Sequence, residues 1–487
     1  MSNELSIVLG YVLSFVYMAL VIFVGEAVQK KFDTDKEITR KCEHIATSAS
    51  FAICYFFVGA TYHLIIINFL AMCALGVITF AGMMKSVERE DAEKSYGLFY
   101  FGLSTFVSIT VVMLLDARLV PFAAIAYYSL SLADGLAPLV ARLAGKRNIP
   151  LFAPKSLVGF LTVFAVSSAV ALCCNFIFAL ALSPLFILSL GSLAAHAELY
   201  GRRGFDNITI NFAVIGYLLL NHYGFVTLAV EVTLLVSPLF TLLTARTGAL
   251  TLPAAVASFC YLVISSFCGG FSVMSTICIL FLIEAVISKL TTKRFNSIHA
   301  RSHEKHSRGI YQIIANSAAA FVCIAIYRIT GNVIFLAASV VAIAEEFADS
   351  MASDIGRLSR SAPRDIIRFK KTEAGISGGV SAVGILSALL SSFAAVSVFF
   401  AFGDIKPAMF LPLGAIAFAG TLIDSVLGSL LQSLFRCTEC DALTERKEHC
   451  GAPTMIIKGS RFINNSTVNL LSGLLTAMLA TAFMLVV

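Results

Sequence analysis

The sequence predicts an all-α, polytopic integral membrane protein of about sixteen transmembrane helices in two parallel, distantly similar halves. Three observations carry this. Of 487 residues, 58% are hydrophobic and 13% charged, with a mean hydropathy of +0.89, against roughly 45–50% apolar and 25% charged in soluble domains. Apolar runs of about 17 to 25 residues, long enough to cross roughly 30 Å of hydrocarbon, recur along the chain between loops that hold most of the charge. Two distant segments, Asp206-Asn207-Ile208-Thr209-Ile210-Asn211 and Asn464-Asn465-Ser466-Thr467-Val468-Asn469, repeat one polar phrase at the mouth of an apolar run.

In chain order, spans are expected near 5–25, 44–60, 62–84, 96–115, 119–141, 156–173, 175–195, 208–222, 224–245, 253–268, 270–290, 310–328, 332–350, 374–400, 408–434 and 467–487. Helices are the expected spanning form, because barrel strands would alternate polar and apolar residues. Short turns at Gly59-Ala60-Thr61, Asp116-Ala117-Arg118, Tyr223-Gly224, Gly269-Gly270 and Thr330-Gly331-Asn332 make hairpins of neighbouring spans. Counting parity puts the loops at 26–43, 85–95, 142–155, 196–207, 291–309, 356–373 and 435–466 on one face. They hold almost every Lys and Arg, so that face is expected to be cytoplasmic, both termini external and the location the plasma (inner) membrane. No basic residue precedes the first span and no small-residue cleavage signal follows it, so it is expected to be an anchor and not a signal peptide. The boundary between halves is expected within 244–253, giving domains 1–247 and 248–487. An even number of spans separates Arg40 from Arg308, so the halves are parallel, unlike the inverted repeats of many secondary transporters.

Loops beside anionic headgroups account for the net charge of +6, and no basic, aromatic-interleaved surface points to nucleic acid. Most of the twelve cysteines lie in apolar spans, where thiols act as small hydrophobes; the rest fall in a reducing compartment, so no disulfide framework is expected.

The repeat extends beyond the polar phrase. Ala133-Asp134-Gly135 with Lys155-Ser156 matches Ala348-Asp349-Ser350 with Lys370-Lys371, and Arg40-x-x-x-His44-x-x-x-Ser48 matches Arg308-x-x-x-Gln312-x-x-x-Asn316. An aspartate within a membrane span costs several kcal/mol unless it pairs or binds an ion, so Asp134, Asp349, Asp354 and Asp424 are expected to hold Mg²⁺ or to form structural ion pairs. Glu345 and Glu346 beside Asp349 read as further ligands or as helix-end solvation. Basic loops follow these acids: Arg142, Lys146, Arg147 and Lys155, then Arg357, Arg360, Arg364, Arg368, Lys370 and Lys371. Carboxylate-held Mg²⁺ beside Lys and Arg is what phosphoryl transfer requires, since charge on the transferring group must be neutralised.

Pro154-Lys155-Ser156-x-x-Gly159 and Gly375-x-Ser377-Gly378-Gly379 stand where those loops re-enter the membrane. Their backbone N–H groups could meet a phosphate at a helix N-terminus, or the small residues could serve close packing. No G-x-x-x-x-G-K-[ST] loop occurs. His44 is the candidate proton acceptor, with polar helix-end solvation as the alternative, and Arg40 is a candidate phosphate ligand. Glu198, Asp206, Asn207, Asn464, Asn465 and Asn469 are candidates for metal or ribose, or a polar cap. Cys437-x-x-Cys440 followed by His449-Cys450 has the spacing of a zinc site.

These motifs carry a family resemblance. Residues 5–245, through Arg40-Lys41-x-x-His44, Ala133-Asp134-Gly135, Lys155-Ser156-x-x-Gly159 and Glu198 with Gly204-Phe205-Asp206-Asn207, resemble the phytol and dolichol kinase group of membrane lipid kinases. Residues 270–487, through Asn316, Ala348-Asp349-Ser350-x-x-Ser353-Asp354, Gly375-x-Ser377-Gly378-Gly379, Asp424-Ser425-x-x-Gly428, the Cys437 loop and Asn464-Asn465-x-x-Val468-Asn469, resemble the membrane family that includes phytyl-phosphate kinase. The resemblance implies CTP as donor, Mg²⁺, and two consecutive steps, isoprenoid alcohol to monophosphate and monophosphate to diphosphate. Asp134 with Glu198 or Asp206 would hold metal, Arg40 and Lys155 would neutralise phosphate, and His44 would take the alcohol proton. In the second half Asp349, Asp354 and Asp424 would hold metal and Arg308, Lys370 and Lys371 would contact phosphates. The rival readings are a cytidylyltransferase making a CDP-lipid and a lipid-phosphate transporter.

Overall fold

In lipid every backbone N–H and C=O must be satisfied within its own segment, and the long apolar runs of this chain accordingly close into helices. The structure is a computed structural model describing residues 3–81, 96–145, 149, 152, 155–201, 204–248, 250–299, 308–373, 375–403 and 405–487. The loop expected at 85–95, and Lys146, Arg147 and Pro154, lie outside the described residues. The chain divides into two compact units, 1–227 with 234–247, and 228–233 with 248–487.

The first unit holds α1 (Asn3–Phe32), α2 (Lys36–Ala46), α3 (Ser48–Val58), α4 (Tyr62–Ala81), α5 (Gly97–Leu115), α6 (Val120–Tyr128), α7 (Asp134–Leu143), α8 (Leu157–Phe178), α9 (Pro184–Tyr200) and α10 (Asp206–His222). Next comes α11 (Leu228–Thr247), shared between the units. A single π-helical turn, Ser129–Ala133, joins α6 to α7. Most of the stretch Ala117–Leu143 is buried, which makes it the unit's central span, packed against α2, α5, α8 and α10.

The second unit contains α12 (Leu252–His299), α13 (Ile310–Thr330), α14 (Val333–Gly356), α15 (Ala382–Phe402), α16 (Phe410–Leu431) and α17 (Asn465–Val486). Its core gathers around α14, where Ala337, Ala338, Val340, Val341, Ala342 and Ala344 are buried against α12, α13, α15, α16 and α17. The helix α12 folds back on itself at Gly270, whose φ of 71° and ψ of −160° are non-helical. An unbroken helix of 48 residues would run about 72 Å. Leu250 nevertheless bridges to Arg308, only nine residues past His299 and so within roughly 32 Å of it. The expected Gly269-Gly270 turn is therefore a hairpin, made possible by a residue without a Cβ at positive φ.

Each of the sixteen expected spans falls on a helix, but not all are long and apolar enough to cross a membrane. Ten helical stretches among the described residues meet that standard, α12 counted once. The expected span 44–60 breaks at Thr47 into α2, a polar helix, and α3, eleven residues long. The helices α9 and α10 have 17 residues each, and α14 carries Glu345, Glu346 and Asp349 within its apolar length. The chain does not turn at 174, as the expected boundary implied: α8 continues to Phe178, and Ser183 caps α9 by accepting from the Phe186 N–H at 3.1 Å.

Two connections of the second unit are elaborated. Residues 357–381 form β1 (Arg364–Asp365) and β2 (Gly379–Val380), an antiparallel pair, so α15 starts at Ala382 and not near 374. Residues 432–464 form β3 (Leu434–Cys437), β4 (Leu443–Thr444), β5 (Glu448–His449) and β6 (Ala452–Lys458), in the order β4-β3-β6-β5. The matching connections of the first unit are the shorter stretches 144–156 and 201–205.

Candidate functional site

In the first unit, Asp134 begins α7 directly after the π turn, a local irregularity that often re-aims side chains at functional positions. Its carboxylate is buried and accepts from Lys41 Nζ at 2.7 Å, and Lys41 also reaches the Asp134 carbonyl at 3.0 Å. His44 Nδ1 lies 3.3 Å from the same carboxylate oxygen. Lys41 and His44 stand three apart on α2 and so share a helix face. Close approach of α2 to α7 depends on Gly135: a Cβ there would sit 2.5 Å from Ile45 Cγ1.

Lys155 stands just before α8 and binds Glu198 on α9 and Asp206 on α10, the latter at 3.4 Å. Burial works against its charge, but Glu198, Asp206 and Asp134 outweigh it, and the ammonium pKa is raised. Gly201 brings α9 to α10 closely enough that a Cβ would lie 2.5 Å from Asp206 Cα. Asn207 donates to the Gly97 carbonyl at 2.7 Å and Asn211 accepts from Ser108. The structure thus assembles His44, Asp134, Lys155, Glu198, Asp206 and Asn207 from five segments. Arg40 is half-buried one position before Lys41. Lys41 is the residue that reading the sequence for roles missed, because its partner lies 93 positions away.

As metal ligands these acids need qualification. Asp134 is met by Lys41, and Glu198 and Asp206 by Lys155, so three carboxylates face two ammonium groups before any ion arrives. Buried polar atoms without protein partners remain at His44 Nε2, Asn207 Oδ1 and Asn211 Nδ2.

The second unit is differently balanced. Glu345 is buried on α14, with its Cγ 2.7 Å from where a Gly420 Cβ would stand. Asp424, Asp349 and Glu346 are all close enough to repel it, and Glu284 lies within reach of both Asp349 and Glu346. Arg308 is the cation that meets them, pairing with Glu284 at 2.5 Å. Asn316 donates to Glu346 at 2.9 Å, Asn469 donates to Asn316 at 3.1 Å, and Ser472 donates to Asp424 at 3.0 Å. Asp354 is paired to Arg357. An excess of carboxylates in a low-dielectric interior fits a divalent cation. Hard oxygen donors suit Mg²⁺, which takes one or two carboxylates and completes its shell with phosphate and water. Among the described residues no three carboxylates bring oxygens within 4.8 Å of one another.

The structure places several of the remaining expected site residues in structural positions. Lys370 and Lys371 are exposed on the 357–381 connection, and among the described residues neither forms an ion pair with Asp349, Asp354 or Asp424. The partner of Ser156 in the repeat is Ser381: Ser156 caps α8 through the Gly159 N–H and Ser381 caps α15 through the Gly384 N–H, each at 3.1 Å. Gly159 abuts the Ala137 carbonyl and Gly384 the Ala352 carbonyl, each three residues past its aspartate, so Lys155 corresponds to Val380. Arg40 and Arg308 are not equivalent either, since four helices separate α2 from Asp134 on α7, whereas α13 leads directly into α14. Gly378, at φ of 81°, serves packing: a Cβ would meet Ser429 at 2.6 Å. The Ser377 N–H donates to Glu445 at 2.8 Å, and Gly379 pairs with Asp365 in β1–β2. Asn464 is a helix cap, accepting from the Thr467 N–H at 3.0 Å, and Asn465 is exposed beside it.

Asp365, not singled out in the sequence, anchors the elaborated face. It accepts from the Ile367 and Arg368 N–H groups at 3.0 and 2.8 Å and from Ser429, with Lys458 at 3.6 Å. Burial opposes its ionisation, but these donors prevail and its pKa is lowered. Nearby, the backbone N–H groups of Cys440 and Glu439 bring the Cys437 thiol down to about 6.

Residues 235–477 match the family described as integral membrane protein DUF92. Protein PGR of Arabidopsis thaliana is 26% identical over 272 residues, covering 51% of this chain and 93% of that protein. An uncharacterized membrane protein of Methanocaldococcus jannaschii is 28% identical over 167 residues, covering 34% of this chain and 67% of that protein. No solved structure matches.

Proposed function

We propose that this integral membrane protein is a CTP-dependent kinase that phosphorylates an isoprenoid alcohol in its first unit and the resulting monophosphate in its second. The observation that carries this reading is the pair of carboxylate groups, buried in the first unit and buried to half-buried in the second, each built on an aspartate three residues before the alanine that abuts a serine-capped helix. Carboxylates of this kind are retained in membrane spans where they hold ions or charged ligands.

In the first unit, Lys41 and Lys155 are the cations that would turn to the triphosphate, while Asp134, Glu198 and Asp206 are freed to share Mg²⁺. Such an ion would neutralise charge on the transferring group. His44 Nε2, without a protein partner, is the acceptor for the alcohol proton. The Phe101 ring lies edge-on to His44 at 4.9 Å and also lines a mostly apolar cavity with Phe51, Cys54, Ile67, Leu75 and Tyr127. A hydrocarbon tail in that cavity would leave its hydroxyl beside His44. In the second unit, one or two of Glu345, Glu346, Asp349 and Asp424 would hold Mg²⁺, with Arg308 orienting Glu284 and meeting phosphate. The acceptor there is already a phosphate, so no strong base is needed. Both sites are taken to face the cytoplasm, where the nucleotide is.

The test is to incubate membranes bearing the protein with γ-labelled CTP and a panel of prenyl alcohols and monophosphates. Label should pass to the lipid with release of CDP. Release of pyrophosphate and formation of a CDP-lipid would replace this reading with a cytidylyltransferase, and no consumption of CTP with any acceptor would refute both.

A further inference from the structure

We propose that Cys437, Cys440, His449 and Cys450 bind one structural zinc ion that fastens the sheet of residues 432–464. Their ligand atoms all lie within 4.8 Å of one another. Cys440 Sγ is 3.6 Å from Cys450 Sγ and 3.4 Å from His449 Nδ1, which is 3.2 Å from Cys450 Sγ. Tetrahedral zinc with bonds of about 2.3 Å to sulfur and 2.0 Å to nitrogen separates its ligands by roughly 3.5–3.8 Å, so small shifts would seat the ion. Three soft sulfurs and one imidazole form a closed donor set, which is the chemistry of structural zinc and not of Mg²⁺.

The backbone is arranged for this. The turn after β3 points the Glu439 N–H at Cys437 Sγ, 3.4 Å away. The turn between β5 and β6 is made by Cys450 and Gly451, both at positive φ, which directs His449 and Cys450 back toward the first turn. The sheet has little else to hold it: of the residues in its strands only Phe435 and Cys437 are buried, while Met455, Ile456 and Ile457 are exposed. So small a core is usually fastened by metal or disulfides.

Binding deprotonates the three thiols, forms three Zn–S bonds and one Zn–N bond, and releases the thiol protons to solvent, with no change in oxidation state. The fastened sheet then presents Glu445 to the Ser377 N–H and Lys458 to Asp365, holding the Ser377–Gly379 turn against Ser429 of α16. Zinc is therefore assigned a positioning role and no chemistry of its own.

The full chain, purified in detergent without chelator from zinc-replete cells, should contain about one zinc per chain. Cobalt exchanged into it should give the sulfur-to-cobalt charge-transfer and visible bands of a tetrahedral thiolate site. Cys440→Ser or Cys450→Ser should lose most of the metal, and Cys260→Ser should keep it. Chelation should speed proteolysis within 438–447, which keeps the test decisive if the variants fold poorly. Wild-type protein without zinc, a cobalt spectrum lacking thiolate bands, or a Cys440–Cys450 disulfide in anaerobically prepared protein would overturn the proposal. None of these readouts depends on kinase activity.

Discussion

Lys155 is the residue on which the first site turns, because among the described residues it is the cation that pairs with both Glu198 and Asp206. Removing one partner of a buried pair leaves uncompensated charge, so Lys155→Met should cost about 3 kcal/mol, read as a lowered midpoint in a detergent thermal-unfolding assay. It should also abolish the first phosphorylation. Gly135→Ala should act through geometry alone, since its Cβ would drive Ile45 and thus α2 away. A loss of about 1–3 kcal/mol is expected, with a larger fall in first-step turnover than in the second. Asp365 offers a pH test. Its folded pKa lies below the ordinary 3.8, so the stability it contributes is complete above that value and fades as pH falls through the depressed one. Protection of the 357–381 and 432–464 connections from an acid protease should therefore decline below about pH 4 in the wild type, whereas Asp365→Asn should be less protected at neutral pH and flatter across the range.

At the scale of elements, apolar length was enough to locate the membrane-length helices, though not the polar α2, because nothing but a helix satisfies the backbone in lipid. Boundaries were harder where the polar signal is a cap. Ser183-Pro184 and Asn464-x-x-Thr467 are both helix starts, and only the first carries the proline that advertises one. The carboxylates of both sites were legible because an acid in an apolar run stands out. Their partners were not, since Lys41 meets Asp134 across 93 positions and Ser429 meets Asp365 across 64. The pairing of Lys155 with Lys370 and Lys371 followed spacing alone, which a longer loop renders meaningless; the serine caps mark the register. Ser156→Ala and Ser381→Ala should each cost about 1 kcal/mol, and each should depress only its own unit's step in the labelled-CTP assay.

For the whole molecule, two units with separate carboxylate groups should make the two proposed steps separable. Asp134→Asn should stop the first phosphorylation and leave conversion of supplied monophosphate intact, while Asp349→Asn should let monophosphate accumulate. Loss of both steps from either change, measured by lipid chromatography, would argue against one site per unit. The serine-capped junctions have a consequence for descent. Both units set a capping serine over the same kind of glycine, although the stretches that arrive there, 144–156 and 357–381, differ in length and content. The helical framework is thus indifferent to what hangs from its ends, and insertions among distant kin should collect at these joints while the spacing from aspartate to alanine stays constant.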